Sequence, residues 1–346
     1  MGIDPNLIKD NIGQETFTFI DSKIDGTQKT MFLSTNAIFN IQQIEPNAYQ
    51  NIVNIKRANN FEDLNLYFKT VNEKLPEGGR FFIIVETYRL RKQRILKKFI
   101  RPFNYLYYFL DFLLTRVSPK LKLTKRLYYY LSVGKGLVIS KTEVLGRLYF
   151  NGFELLEYQS INNKMCIVVQ KVAIPTYTEI PDYGMVFKQA RIGYQGKKIH
   201  FYKLRTMHPY AEYIQTYMYQ KYGAANGGKV LDDYRVPTWG KFMRKFWLDE
   251  WPMMINFFRG EMKLVGVRPL SLQMFYSYPE ALQQKRILVK PGLIPPFYAD
   301  MPDTLEAIYQ SEDTYLEAYL KSPFKTDMRY FFTAIKNIMF KKARSN

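Results

Sequence analysis

The sequence predicts an α/β module followed by an α+β domain. A chain of 346 residues suits two domains of about 100–200 residues each. Helical patterns alternate with apolar strand patterns in the first half, whereas the second half begins with a strand pair and carries dense polar motifs. Apolar residues make up 47% and charged residues 23% of the chain, which is typical of globular proteins and excludes wholesale disorder. We expect domains at residues 1–175 and 176–346.

Charge and residue counts limit the class of function. The net charge of +19 calls for an anionic partner, which could be nucleic acid, an anionic membrane surface or a phosphorylated substrate. The single cysteine, Cys166, excludes intramolecular disulfides and cysteine-based zinc sites. His200 and His208 are the two histidines, so a multi-histidine metal centre is excluded.

Four elements are predicted in the first module. Apolar residues at helical spacing predict a helix over 61–75, and the continuous apolar run Arg80–Val85 predicts a buried parallel strand. A second helix is predicted over 140–149. A hairpin follows, with strands over 153–159 and 164–171 and a turn at Asn162-Asn163.

A basic and aromatic segment, residues 89–131, interrupts this module. Its first 38 residues hold twelve Lys/Arg and one acid, Asp111, and so carry +11 of the net charge. The apolar run Phe103–Val117 is too short to span a bilayer, and we expect neither a signal peptide nor a spanning helix. One interpretation is an element that contacts an anionic membrane; the other is a buried core helix. The membrane-contacting interpretation assigns this role to Phe103, Tyr107, Phe109, Phe112, Leu113 and the break at Ser118-Pro119.

The order of elements in residues 50–172 weakly resembles the C-terminal half of class I methyltransferases. The residues that match that family's pattern are Leu75, Gly78, Gly79, Gly152 and Phe153. No glycine-rich turn that would hold S-adenosylmethionine lies upstream. We therefore expect a truncated, non-catalytic Rossmann-like module with a helical insertion. A working S-adenosylmethionine-dependent methyltransferase and a basic, aromatic nucleic-acid-binding protein stay open as alternatives, although no nucleic-acid motif is present and no nucleic acid is expected.

The second half contains two adjacent carboxylates, Asp249 and Glu250. Pro252 follows them, and proline is tolerated in the first turn of a helix, so the pair is predicted at a helix start. Seven basic residues lie nearby in the sequence: Arg235, Lys241, Arg244, Lys245, Arg259, Lys263 and Arg268. A carboxylate pair among cations indicates a metal-assisted phosphoryl-transfer site.

Residues 183–346 resemble the bacterial sugar transferases, the monotopic polyprenyl-phosphate glycosyl-1-phosphate transferases. The matching residues, in order, are Phe187, Gln189, Arg191, Gly193, Gly196, Lys203, Arg205, Met207, Asp233, Arg235, Arg244, Lys245, Leu248, Asp249, Glu250, Pro252, Asn256, Gly260, Met262, Val265, Gly266, Arg268, Pro269, Lys290, Pro291 and Gly292. The resemblance implies transfer of a sugar-1-phosphate from a UDP-sugar to a membrane polyprenyl phosphate. It also implies a place at the cytoplasmic face of the bacterial inner membrane, peripheral or monotopic, in exopolysaccharide or lipopolysaccharide synthesis. It leaves a homo-oligomer open.

The resemblance also assigns roles to single residues. It implies that Asp249 is the nucleophile, forming a phosphosugar-aspartate, and that Glu250 and Asp249 are ligands of Mg²⁺. Candidate phosphate-binding residues are Arg191, Lys203, Arg205, Arg244 and Arg268, because basic side chains, and arginine in particular, bind phosphate.

Five departures from the family pattern stand out. Trp247 replaces a Ser or Thr helix cap, Glu261 replaces an Asp and is expected to shift the metal geometry, and Pro237 and Val267 replace a Thr and a Pro. Residues 291–300 also lack the sequence motif that is usual in the family, which suggests a different binding surface for the acceptor or the sugar.

Overall fold

The computed structural model describes residues 5–117, 130, 136–177, 179, 181, 183–225, 229–230 and 233–340. Ser118 and Pro119, the predicted break in the basic and aromatic segment, lie outside these residues. Within the ranges just given, no helix combines the length and the apolar character needed to cross a membrane.

Helices and strands alternate as far as residue 171. The elements are α1 (Pro5–Ile12), α2 (Gln14–Asp21), β1 (Thr30–Leu33), α3 (Ile38–Gln42), β2 (Asn51–Arg57), α4 (Leu64–Lys74), β3 (Arg80–Val85), α5 (Tyr88–Lys98), α6 (Phe103–Phe112), α7 (Lys141–Phe150), β4 (Phe153–Ile161) and β5 (Lys164–Lys171).

Shorter elements follow from residue 186. They are β6 (Val186–Ile192), β7 (Lys198–Leu204), α8 (Gln215–Tyr222), β8 (Ala224–Ala225), β9 (Lys229–Val230), α9 (Thr238–Lys245), a 3₁₀ helix (Leu248–Met253), α10 (Met254–Phe258), β10 (Lys263–Val265), α11 (Leu272–Tyr276), α12 (Glu280–Ile287), β11 (Gly292–Ile294), α13 (Phe297–Asp300), α14 (Leu305–Lys321) and α15 (Pro323–Phe340).

The chain divides into two compact units. The first comprises Met1–Ile180 and His208–Arg235, and the second comprises Pro181–Met207 and Val236–Asn346. The segment His208–Arg235, which the sequence places in the second domain, therefore belongs to the first unit. Tyr210 explains this difference, because its buried hydroxyl accepts a hydrogen bond of 2.6 Å from Asn65 in the first unit.

The first unit is built on a five-stranded sheet in the order β1-β2-β3-β5-β4. Strands β1, β2 and β3 run parallel, and β5 pairs antiparallel with both β3 and β4. Side chains of β3 alternate between two apolar cores: Phe81, Ile83 and Val85 enter one, and Phe82 and Ile84 enter the other. Burial on both faces explains why this strand is a continuous apolar run.

The apolar run Phe103–Val117 is helical but not a buried core helix, and that alternative is wrong. Asn104 is the one buried residue of α6. The face of α6 exposes large apolar side chains, including Phe103 (68% exposed) and Phe109 (54%). Arg91 of α5 donates hydrogen bonds of 2.6–3.2 Å to both carboxylate oxygens of Asp111, which joins α5 to α6 as a helical hairpin.

The second unit contains the hairpin β6–β7 and the parallel pair β10–β11. Gly292 approaches Gly266 so closely that a side-chain carbon on Gly292 would lie 2.0 Å from the Gly266 nitrogen. Glycine at 292 is therefore needed for the two strands to meet. The principal core of this unit packs residues of β10, α12 and α14 together, with Tyr315 and Leu316 fully buried.

Candidate active site

The two predicted carboxylates lie in the first turn of a helix, as expected. Asp249 and Glu250 belong to the 3₁₀ helix Leu248–Met253, and Pro252 lies inside it. Trp247 precedes the helix with a backbone φ of 53°, in the left-handed region, and its side chain makes no capping hydrogen bond. The expected loss of a side-chain cap at Trp247 is therefore confirmed.

Strand β7 brings a lysine to this pair. Lys203 donates a hydrogen bond of 2.7 Å to the Oε1 of Glu250, and the two side chains are 17% and 24% exposed. Phe201, two residues earlier on the same strand, is buried against Met253 and Met262. Apolar packing thus holds β7 against the 3₁₀ helix and keeps the ion pair in place.

Burial raises the pKa of Asp249 above its ordinary value of 3.8, and the negative charge of Glu250 raises it further. The positive charges of Lys203 and Arg244, together with a backbone hydrogen bond, oppose this rise. Asp249 is thus a partly desolvated carboxylate whose charge depends on nearby cations. Acids whose pKa is perturbed in this way concentrate at functional sites.

A small polar pocket of about 50 Å³ adjoins Glu250. Three of the five predicted phosphate-binding residues line it: Arg191, Lys203 and Arg268. Burial lowers the pKa of Arg191, and the charge of Arg268 lowers it further, so the two guanidinium groups repel each other. Two close cations and a lysine around one cavity favour an anion with more than one negative oxygen.

Two other predicted phosphate-binding residues do not line this pocket. The Nε of Arg244 donates to the Oγ1 of Thr206 at 2.9 Å, although its charge still acts on Asp249. Arg205 donates to the carbonyl oxygen of Gly184 at 3.1 Å and lies over the rings of Tyr183 and Phe187.

A buried ion pair supports the loop that carries Arg268. Arg286 of α12 and Glu312 of α14 are 6% and 1% exposed and form a direct ion pair. Arg286 also donates to the carbonyl oxygen of Arg268. Sequence reasoning missed both residues, because nothing in the local pattern distinguishes them from charges on a solvated helix face.

Comparison with known proteins now adds to this geometry. A sequence model of the bacterial sugar transferases matches residues 161–341. The chain belongs to this family. The two carboxylates, Lys203, Arg191 and Arg268 all lie inside the residues that the family model matches.

Several curated relatives carry informative names. The chain is 36% identical to the galactosyl transferase CpsE of Streptococcus agalactiae over 31% of this chain and 24% of the relative. It is 30% identical to the UDP-glucose:undecaprenyl-phosphate glucose-1-phosphate transferase of Klebsiella pneumoniae over 41% and 29%. It is 34% identical to the exopolysaccharide production protein ExoY of Sinorhizobium fredii over 32% and 52%. The matched parts thus span about a quarter to a half of these relatives.

One departure of this chain from the family pattern lies away from the carboxylate pair. Glu261 accepts a hydrogen bond of 2.6 Å from Asn256 and lines a separate pocket with His200 and Arg259. Asn256 is fully buried and also donates to the carbonyl oxygen of His200 at 2.7 Å. In this arrangement Asn256 joins α10 to β7, and Glu261 accepts a hydrogen bond from the same amide group.

The carboxylate pair fits a magnesium ion in its chemistry. In the part of the chain that the structure describes, no three His, Cys, Asp or Glu side chains form a group that could hold a metal ion. Mg²⁺ is nevertheless often bound by one or two carboxylates, with substrate phosphates and water completing its shell. Asp249 and Glu250 supply two such carboxylates, and a cation bound there would oppose the rise in the pKa of Asp249 that burial and the charge of Glu250 cause.

Proposed function

We propose that this chain transfers a sugar-1-phosphate from a UDP-sugar to a polyprenyl phosphate. The observation that carries the proposal is a pocket that Glu250, the sequence neighbour of Asp249, lines together with Lys203, Arg191 and Arg268, in a member of the bacterial sugar transferases. Relatives whose names include undecaprenyl phosphate and glucose-1-phosphate or galactose transfer support this choice of acceptor and reaction.

In the first step, a carboxylate oxygen of Asp249 attacks the phosphorus that bears the sugar. A new bond forms between that oxygen and phosphorus, and the bond from phosphorus to the bridging oxygen of UMP breaks. UMP leaves with the bonding electrons, and the sugar phosphate stays on Asp249 as an acyl phosphate. The partial desolvation of Asp249 favours this attack, because a carboxylate with less hydration is a stronger nucleophile.

In the second step, an oxygen of the lipid phosphate attacks the same phosphorus. The bond between phosphorus and Asp249 breaks, the carboxylate is restored, and the product is a polyprenyl diphosphate sugar. In the transition state of each step, negative charge is spread over several oxygens bound to the phosphorus. Fixed cations therefore lower both barriers. Arg191 and Arg268 fit this task as donors of paired hydrogen bonds, and Lys203 fits it as a point charge that also orients Glu250.

Magnesium is the cofactor that we propose for this site, with Glu250 and Asp249 as the protein ligands. When bound, the ion would neutralise phosphate oxygens and stabilise the departing UMP. Lys203 would then share Glu250 with the ion and hold that side chain in position through its ion pair.

We propose that the reaction takes place at the cytoplasmic face of the bacterial inner membrane, where a soluble nucleotide sugar meets a lipid phosphate. The helical hairpin α5–α6 suits contact with that surface. Its exposed apolar residues include Leu106, Tyr107 and Leu110, and exposed basic side chains, Lys97 and Lys98 among them, lie on α5. Each Lys or Arg near an anionic bilayer contributes about 1 kcal/mol of attraction.

The experiment that tests the function is a panel of UDP-sugars with polyprenyl phosphate, scored for UMP release, with the variant Asp249→Asn beside it. We expect UMP release from at least one donor and none from Asp249→Asn, because the amide cannot form the acyl phosphate. Asp303→Asn, the same change at an exposed position of the second unit, is the control and should keep full activity. Unchanged turnover in Asp249→Asn, with unfolding temperatures equal to wild type, would refute the proposal.

A further inference from the structure

A wide apolar groove adjoins the polar pocket within the second unit. It has a volume of about 510 Å³, within the range of about 300–1,000 Å³ that ligand sites occupy. Its apolar lining comprises Trp247, Trp251, Met254, Leu293, Ile294 and Ile338.

The groove and the polar pocket meet at shared residues. Glu250, Leu293 and Tyr298 line both cavities. One side of this boundary therefore holds Lys203, Arg191 and Arg268, and the other side is almost wholly apolar. An amphiphile with an anionic head and a hydrocarbon tail matches this division in both charge and polarity.

Departures from the family pattern build part of the groove. Trp247 replaces the usual Ser or Thr, and its indole Nε1 donates to the Tyr298 hydroxyl at 3.0 Å, with the two rings edge to face. Leu293, Ile294 and Tyr298 belong to the segment 291–300, whose sequence also departs from the family pattern. Tyr298 is 6% exposed, and Asn337 of α15 fixes its carbonyl oxygen through a hydrogen bond of 3.1 Å. The wall is therefore preformed.

We infer that this groove binds the first isoprene units of the lipid acceptor while its phosphate enters the polar pocket. The inference rests on the proposed function and adds a site for the hydrocarbon chain. Apolar surface removed from water stabilises binding in proportion to its area, so the groove selects phosphates that carry a long chain. Trp247 and the 291–300 segment then determine which chains fit.

The tryptophans allow a direct binding test. The chain has three tryptophans, of which Trp247 and Trp251 line the groove whereas Trp239 does not. The full chain is titrated with farnesyl phosphate, below its micelle concentration, and in parallel with ethyl phosphate. We expect farnesyl phosphate to shift the tryptophan emission to the blue and to bind with a Kd at least tenfold lower than that of ethyl phosphate.

Neighbouring residues of α15 give matched variants. Ile338 lines the groove, whereas Met339 is 67% exposed and does not. Ile338→Asp should raise the Kd of farnesyl phosphate at least tenfold and leave that of ethyl phosphate unchanged, and Met339→Asp should stay within twofold of wild type for both. If circular dichroism shows that Ile338→Asp is unfolded, Met254→Asp, at another residue that lines the groove, provides the same test.

Equal Kd values for the two phosphates would overturn the inference, and so would equal effects of the two α15 variants. Binding that does not depend on chain length, with an emission that changes with protein concentration, would show instead that a second copy fills the groove, and also overturns it. The reaction is tested separately. If Ile338→Asp releases UMP with an unchanged acceptor KM, the groove is not the lipid site, and the proposed function still stands. If binding depends on chain length but no UMP is released, the groove is supported as a lipid site and the proposed function is refuted.

Discussion

Replacing Lys203 by Met tests how the ion pair supports Asp249. The change removes the positive charge 2.7 Å from the Oε1 of Glu250 and leaves a similar volume of apolar atoms. It also removes one of the cations that oppose the rise in the pKa of Asp249. Its loss therefore favours protonated Asp249, and the missing charge also weakens binding of the phosphate.

The size of the effect follows from the burial of the pair. Two unit charges about 4 Å apart interact by about 4 kcal/mol at an effective dielectric constant of about 20. Exposed pairs measure about 0.2–1 kcal/mol, and breaking a buried pair costs about 3–5 kcal/mol. Lys203 and Glu250, at 17% and 24% exposure, lie between these cases. We therefore expect a loss of about 1–3 kcal/mol in transition-state stabilisation, which is a fall of about 5- to 150-fold in kcat/KM.

The assay is UMP release across the acidic range of pH. Lys198→Met is the control, because Lys198 starts the same strand, is exposed and carries the same charge. We expect the acid limb of the Lys203→Met profile to move to higher pH and that of Lys198→Met to stay in place. Activities of the two variants within twofold of each other, with the same acid limb, would refute the role of Lys203.

Three further predictions concern acidity, stability and membrane contact. Because burial and Glu250 raise the pKa of Asp249, wild-type activity should fall on acidification through a pH above 3.8, as the nucleophile becomes protonated; a profile flat down to pH 4 would contradict this. Arg286→Met should lower the free energy of unfolding by about 3–5 kcal/mol in urea titration, because it leaves Glu312 as a buried unpaired charge, and Arg286→Met/Glu312→Met should recover stability; a double variant less stable than the single one would contradict this. Phe109→Asp on the α5–α6 hairpin should reduce flotation with phosphatidylglycerol vesicles at least threefold, whereas Phe39→Asp on α3, where the side chain is also exposed, should not; equal flotation of the two variants would contradict the membrane role.

Local patterns predicted the elements that depend on local physics. Strand β3 was expected over Arg80–Val85 and is found there, because burial on both faces leaves a continuous apolar run. The helix expected over 61–75 begins only at Leu64, since the Asp63 side chain accepts hydrogen bonds from the backbone of residues 65 and 66. Phe61 packs instead against the ring of Tyr67, with centroids 3.7 Å apart.

The features that the sequence could not predict depend on packing between residues far apart in the chain. Tyr210 joins its segment to the first unit through Asn65, a residue 145 positions away. Ile338 reaches the apolar groove only because α15 packs against the short helix α13. Asp249, Glu250 and Lys203, by contrast, stand in short sequence motifs that could be recognised, although the ion pair between Lys203 and Glu250 was not predicted.

The most direct test of the central claim is to look for the phosphosugar on Asp249. The full chain is mixed with a UDP-sugar labelled in the sugar phosphate, without lipid acceptor, and is then denatured and mapped by peptide mass spectrometry. We predict a burst of UMP of about one equivalent per chain and label on the peptide that contains Asp249, both absent in Asp249→Asn. UMP release that requires the acceptor and leaves no label on the chain would contradict a covalent aspartate intermediate.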